Sequence, residues 1–153
     1  MIRIAIQEKD FSIEQELNLL RSGRVDIGAI ASFIGLVRDI NEGEDVSLLT
    51  LEHYPGMTEK QINKIAIEAE SRWPLQDITI IHRVGTLTPG DQIVLVITAS
   101  SHRAAAYQAN EFIMDYLKTR ATFWKKETLA DRSRWVESRH CDNAAAERWK
   151  EPA

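Results

Sequence analysis

"DITIIHRVGTLTPGDQIVLVITASSHRAAA" (residues 77–106) is the stretch that decides the fold. Apolar runs on either side of Pro89-Gly90-Asp91 read as two strands joined by a turn, because Pro presets φ and Gly tolerates the reversal. The second run ends at Ser100-Ser101-His102-Arg103, and apolar residues then recur at helical spacing through "AAAYQANEFIMDYLKTR" (104–120). Paired strands feeding a helix belong to a sheet with largely antiparallel pairing, and so to an α+β fold.

The flanking segments extend the same pattern. "IRIAIQ" (2–7) puts Ile2, Ile4 and Ile6 on one strand face, and "FSIEQELNLLRSG" (11–23) changes to helical spacing through Ile13, Leu17 and Leu20. Ser12 and Gln15 have capping-box spacing at that helix start, and Gly23 is its stop. "VDIGAIASFIGLVRD" (25–39) is apolar on both faces near its middle and reads as a central strand, with "NEGE" (41–44) turning it back into "VSLLTLEHY" (46–54) as a hairpin. A second helix follows "YPGMTEKQ" (54–61), with Thr58 and Gln61 at capping-box spacing and Ile62, Ile65, Ala66, Ala69 and Trp73 as its stripe. Pro74 ends it. Past residue 120, "FWKKE" (123–127) and "RWVESR" (134–139) read as short strands and "DNAAAERW" (142–149) as a terminal helix or tail. One domain over residues 1–153 is expected, with a tail from about residue 141 that could be mobile.

Composition narrows the function. The chain has 153 residues, 44% hydrophobic and 27% charged, with a net charge of −4. That balance is globular, and the acidic excess argues against broad binding to nucleic acid. No apolar run reaches the roughly 20 residues that cross a bilayer, and the first residues lack a signal peptide's apolar stretch and cleavage site. A single cysteine, Cys141, excludes an internal disulfide framework, fits a reducing compartment, and sits in the polar "RHCDN" as a bystander. Cytoplasm is the expected location. Four scattered histidines with one cysteine make a poor metal site, so none is expected, and no nucleotide-binding glycine motif or nucleophile elbow occurs.

Three basic clusters remain. Ser100, Ser101, His102 and Arg103 stand where a strand enters a helix, an anion-attracting position. Arg38 closes an apolar strand. "DYLKTRATFWKKE" (115–127) gathers Lys118, Arg120, Lys125 and Lys126 around Phe123 and Trp124. An unbroken helix would set Lys118 and Lys125 on one face about 10 Å apart. A strand after Arg120 would instead put Phe123, Lys125 and Glu127 on one side and Trp124 and Lys126 on the other. Either geometry can aim Lys118 and Lys125 at a shared space. Together the clusters suggest a small anionic substrate, a phosphate being one candidate.

"LEHYPGMTEK" (51–60), "RWPL" (72–75), "IHRVG" (81–85), "PGD" (89–91), "SSHR" (100–103) and "FIMDYLKTRATFWKKE" (112–127) resemble, in order, the catalytic (large) subunit family of molybdopterin synthase. The likeness runs over about residues 25–140. It implies an α/β hammerhead with an added antiparallel sheet, and conversion of cyclic pyranopterin monophosphate into a dithiolene. The implied sulfur source is the C-terminal Gly-Gly thiocarboxylate of a small ubiquitin-like partner, with no cofactor. The implied assembly is a homodimer of this chain within a heterotetramer. By motif, Lys118 and Lys125 are the expected catalytic lysines. Arg38, His102 and Arg103 match positions for the pterin phosphate and the partner's tail, with Lys126 close by and Phe33 walling the pocket. Thr122 stands where the family often has Pro, and Leu36 where a lysine can occur. A non-catalytic partner-binding member of this fold is one alternative. A single-stranded nucleic-acid module stacking bases on Phe123 and Trp124 is another.

Overall fold

The computed structural model describes residues 1–136 and 140–150, and side chains in that range other than those of His140 and Cys141. A first sheet has the order β1-β6-β8-β2, formed by β1 (Ile2–Gln7), β6 (Leu75–Arg83), β8 (Gln92–Ser100) and β2 (Ala29–Leu36). β1 runs parallel to β6, and the other two pairings are antiparallel. Period-two alternation lets this sheet hold two cores at once. Ile78, Ile80, Val94 and Val96 face one way, beneath α2 (Met57–Arg72) and α3 (Arg103–Thr119). Ile81, Leu95, Ile97 and Ala99 face the other, against Leu20 of α1 (Ile13–Arg21) and Phe11 just before that helix.

A second sheet has the order β10-β9-β5-β7, from β10 (Ser133–Val136), β9 (Phe123–Thr128), β5 (Leu48–His53) and β7 (Gly85–Leu87), all antiparallel. β3 (Ile40–Asn41) and β4 (Glu44–Asp45) form a separate two-residue ladder. α4 (His140–Glu147) lies against α3, with Ala146 buried, and beyond it Trp149 packs edge-on to Trp73 and Phe112.

The structure corrects several sequence expectations. Residues 25–39 are not a central strand: pairing covers only Ala29–Leu36, on the sheet's edge, and Val25 is fully exposed. "NEGE" closes only the β3–β4 ladder, and β5 leaves β2 to pair with β7 and β9 in the other sheet. The run 77–87 is two strands, because Gly85 takes φ 88° and carries the chain from one sheet into the other. α2 starts at Gly56 rather than around a Thr58–Gln61 capping box: Glu59 accepts from the Gly56 N–H at 3.2 Å, and Thr58 is wholly buried. Within "RWVESR", residues 137–139 lie outside the described range, as does the Cys141 side chain.

Candidate active site

The two sheets meet at the end of β6, where the apolar row Ile78–Ile80 finishes in His82. The His82 ring is 6% exposed and stacks on Phe123 of β9, with centroids 3.8 Å apart and planes 16° off parallel. Its Nδ1 lies 2.8 Å from the Arg83 carbonyl oxygen. A carbonyl only accepts, so Nδ1 carries the proton and the ring is the Nδ1–H tautomer. Burial, with the positive charges of Lys125 and Lys118 and with His53, lowers the His82 pKa to about 4, outweighing the Arg83 hydrogen bond that raises it. The imidazole is neutral at physiological pH. Lys118 and Lys125 both lie within electrostatic range of this ring.

Local structure sets where the two lysines stand. α3 ends at Thr119, so Lys118 stands in its last turn, and the chain re-enters as β9 four residues later. The strand alternates: Phe123 meets His82, Glu127 is buried, and Lys125 between them shares their face. The junction is tied to α2. The Thr122 N–H donates to Gln61 Oε1 at 2.7 Å, the Thr122 hydroxyl meets the same oxygen, and Thr58 Oγ1 donates to the Thr122 carbonyl at 2.9 Å. Thr58 and Gln61, which looked like helix-capping residues, instead hold the segment between the two lysines.

Arg38 reaches this face through a chain of polar contacts. Its Nη2 lies 3.5 Å from Asn41 Oδ1, and Asn41 Nδ2 donates to Glu127 at 2.9 Å. Glu127 is also ion-paired with Arg134 Nε at 2.9 Å. Lys126 points the other way, its Nζ 5.9 Å from the centre of the Trp135 ring on the opposite face of the second sheet. Phe33 is partly exposed on edge strand β2, opposite Val96. His102 and Arg103 are exposed at the start of α3, beside the Ser100 end of β8. From Arg103 the helix runs fifteen residues, roughly 22 Å, to Lys118. Within one chain, therefore, Arg38, Lys118 and Lys125 share one end of the molecule while His102 and Arg103 occupy the other.

His82 and His53 carried no role in the sequence reading. The available signal was a polar residue closing the apolar row "ITIIH", which is also how an ordinary strand end reads. Phe123, offered as a base-stacking platform in the nucleic-acid alternative, has one ring face covered by His82. Because the two faces of β9 differ, Lys125→Ala is expected to lower turnover far more than Lys126→Ala. Parallel single-turnover measurements check this, and equal losses would count against a site on the Lys125 face.

Among the described residues no group of three or more His, Cys, Asp or Glu is arranged to hold a metal, and no helix is long and apolar enough to cross a membrane. Fold and site define a class: an α+β protein with a buried neutral imidazole, stacked on Phe123, within electrostatic range of two lysines. The comparisons with known proteins give the family. A model of the MoaE protein matches residues 6–120, and the chain belongs to that family. It is 56% identical over 148 residues to the molybdopterin synthase catalytic subunit of Pseudomonas aeruginosa, covering 97% of this chain and 99% of the relative. The solved molybdopterin biosynthesis MoaE protein from Burkholderia ambifaria has a TM-score of 0.84 at 53% identity, covering 99% of each chain. A chain in the complex of subunits 1 and 2 of the molybdopterin-converting factor from Helicobacter pylori shares the fold, with a TM-score of 0.68. Its identity is 18%, over 90% of this chain and 91% of that one.

Proposed function

We propose that this protein is the catalytic subunit of a molybdopterin synthase. In this reading it moves sulfur from the C-terminal thiocarboxylate of a small ubiquitin-like partner onto cyclic pyranopterin monophosphate, in the cytoplasm. The observation that carries the reading is 56% identity to a protein of that name over nearly the whole chain, with Lys118 in the last turn of α3 and Lys125 on the β9 face that carries Phe123. Phosphate and thiocarboxylate are anionic from the start, and once the sulfur is bonded to the pterin as a thioester, water cleaves the acyl–sulfur bond, leaving a thiolate on the pterin and a carboxylate on the partner while negative charge gathers on the acyl oxygen. Fixed ammonium groups stabilise that developing charge. Lys118 serves the acyl carbon and Lys125 the pterin. The partner brings the sulfur, so neither Cys141 nor a bound cofactor is required.

The assembly proposed is a homodimer carrying two small subunits. It is supported by the separation of His102 and Arg103 from the lysine pair: one chain cannot offer both clusters to a single small substrate, whereas a second copy can. Mixing this protein with thiocarboxylated small subunit and cyclic pyranopterin monophosphate is expected to yield dithiolene product. Light scattering is expected to show a dimer that gains two partners. Absence of product with a competent partner overturns the reading.

Arg38→Ala, His102→Ala and Arg103→Ala are expected to raise KM more than they lower kcat, since each removes a donor to a group already charged in the ground state. Steady-state kinetics with varied pterin and varied partner checks this. Unchanged KM in all three would remove them from the binding site.

A further inference from the structure

We propose that Gln61 and Thr58 of α2 are positioning residues for sulfur transfer, fixing the turn that sets Lys118 and Lys125 relative to each other. The inference rests on the reading of those lysines as the sulfur-transfer groups.

Between the two lysines the chain leaves a helix and enters a strand. α3 closes with the Arg120 N–H donating to the Tyr116 carbonyl at 2.7 Å, and β9 begins at Phe123. The Phe123 N–H donates to the Ala121 carbonyl at 3.0 Å, which makes Thr122 the centre of a three-residue turn. Glu42 is the non-glycine residue with positive φ, so the turn at Thr122 is the inverse γ form, with φ of about −75°. One internal hydrogen bond offsets little of the entropy of ordering such a turn. Partners outside it must hold it.

α2 supplies them. Gln61 Oε1 accepts both the Thr122 N–H, at 2.7 Å, and the Thr122 hydroxyl, so that oxygen spends both its lone pairs on one residue. Thr58, one helical turn earlier on the same face, is wholly buried and acts as a relay. Its Oγ1 accepts from the Tyr54 N–H and donates to the Thr122 carbonyl, each at 2.9 Å. Arg120 adds a third tie, with Nη1 3.3 Å from Glu68 of α2 and the guanidinium 3.7 Å from the centre of the Tyr116 ring. Because His53 pairs with Phe123 across β5 and β9, the contacts close a ring. It runs from His53 to Tyr54 along the chain, through Thr58 to Thr122, and on to Phe123.

A turn held this way governs rate more than binding. A fixed donor to a developing oxyanion loses about 100-fold in effect when it is misplaced by about 1 Å. Anions already charged in the ground state are assigned to Arg38, His102 and Arg103, which lie outside the turn.

The test has two arms. On the protein alone, hydrogen exchange read by NMR is expected to show the Thr122 amide protected, and to exchange about 10-fold faster in Gln61→Ala. In the reconstituted reaction, Gln61→Ala is expected to lower kcat about 10-fold with KM little changed. Should it fail to fold, Gln61→Met fills similar space without the amide acceptor and is expected to show the same loss. Two variants restore the turn by different routes. Gln61→Glu keeps the acceptor, and Thr122→Pro in the Gln61→Ala background removes the N–H while holding φ at about −65°. Each is expected to regain most of the lost kcat. Ile62→Val, which trims the core side of α2, is expected to lower the thermal midpoint and leave kcat at the wild-type value. Equal exchange in wild type and Gln61→Ala, a rise in KM without loss of kcat, failure of both rescues, or an equal kcat loss in Ile62→Val overturns the proposal. A wild type that transfers no sulfur overturns the functional reading instead, and the exchange arm still decides whether Gln61 holds the turn.

Discussion

Lys118→Ala is expected to reduce single-turnover sulfur transfer by about 100- to 1,000-fold, the cost of removing one preorganised donor to a developing oxyanion. The protein should otherwise be nearly unchanged. Lys118 is exposed in the last turn of α3, where a lysine contributes only tenths of a kcal/mol through the helix dipole. The thermal midpoint and the affinity for the small partner should therefore stay close to those of the wild type. Rapid-quench measurement of product alongside calorimetry separates the two effects. Wild-type turnover in Lys118→Ala would make the basic cluster a solvated helix end and nothing more.

Acid sensitivity centred on His82 is the second large effect. Unfolded, its imidazole titrates near 6.5; folded, near 4. Between those values the unfolded chain binds the extra proton, so this group's contribution to stability is complete above pH 6.5 and is lost as the pH falls towards 4. The difference of about 2.5 pH units corresponds to about 3 kcal/mol. Another group contributes in the opposite sense: burial raises the Asp77 pKa, so folding favours its protonated form. The measurement is therefore a difference. Urea denaturation of wild type and His82→Gln at pH 7 and pH 4 is expected to show the wild type losing about 3 kcal/mol more than the variant. Parallel losses would mean that the folded imidazole titrates normally.

Burial is the larger cause of the low His82 pKa, and the positive charges of Lys125 and Lys118 add to it.

Helices and strands were legible from residues alone where the signal is local. Ile62, Ile65, Ala66 and Ala69 form the buried stripe of α2 as their spacing implied, and Ser12 accepts from the Gln15 N–H at 3.3 Å. The alternation of β9 was readable as one of two geometries, and it sets Lys125 and Lys126 on opposite faces once residue 123 begins a strand. Ordered motifs brought Lys118, Lys125, Arg38, His102 and Arg103 forward as candidates. These readings depend on neighbours within a few positions in the chain.

What only the tertiary structure decided is which strand meets which. "LLTLEH" has the same alternation whether it returns against β2 or crosses to β9, and the energy that chooses comes from distant residues: Leu51 and Leu87 bury each other with Val37, and Phe123 pairs across from His53. The same non-locality hid His82. In sequence it closes an apolar row in β6, and it becomes part of a site only because residue 123, forty-one positions later, folds back over its ring. Thr58 and Gln61 had the spacing of a cap, yet their partner is Thr122, more than sixty positions away. Hydrophobic periodicity reports which face of an element is buried, but not what is buried against it. That is settled by packing between segments, and it is why ordered motifs named the lysines while the stacking of Phe123 on His82 emerged only in the fold.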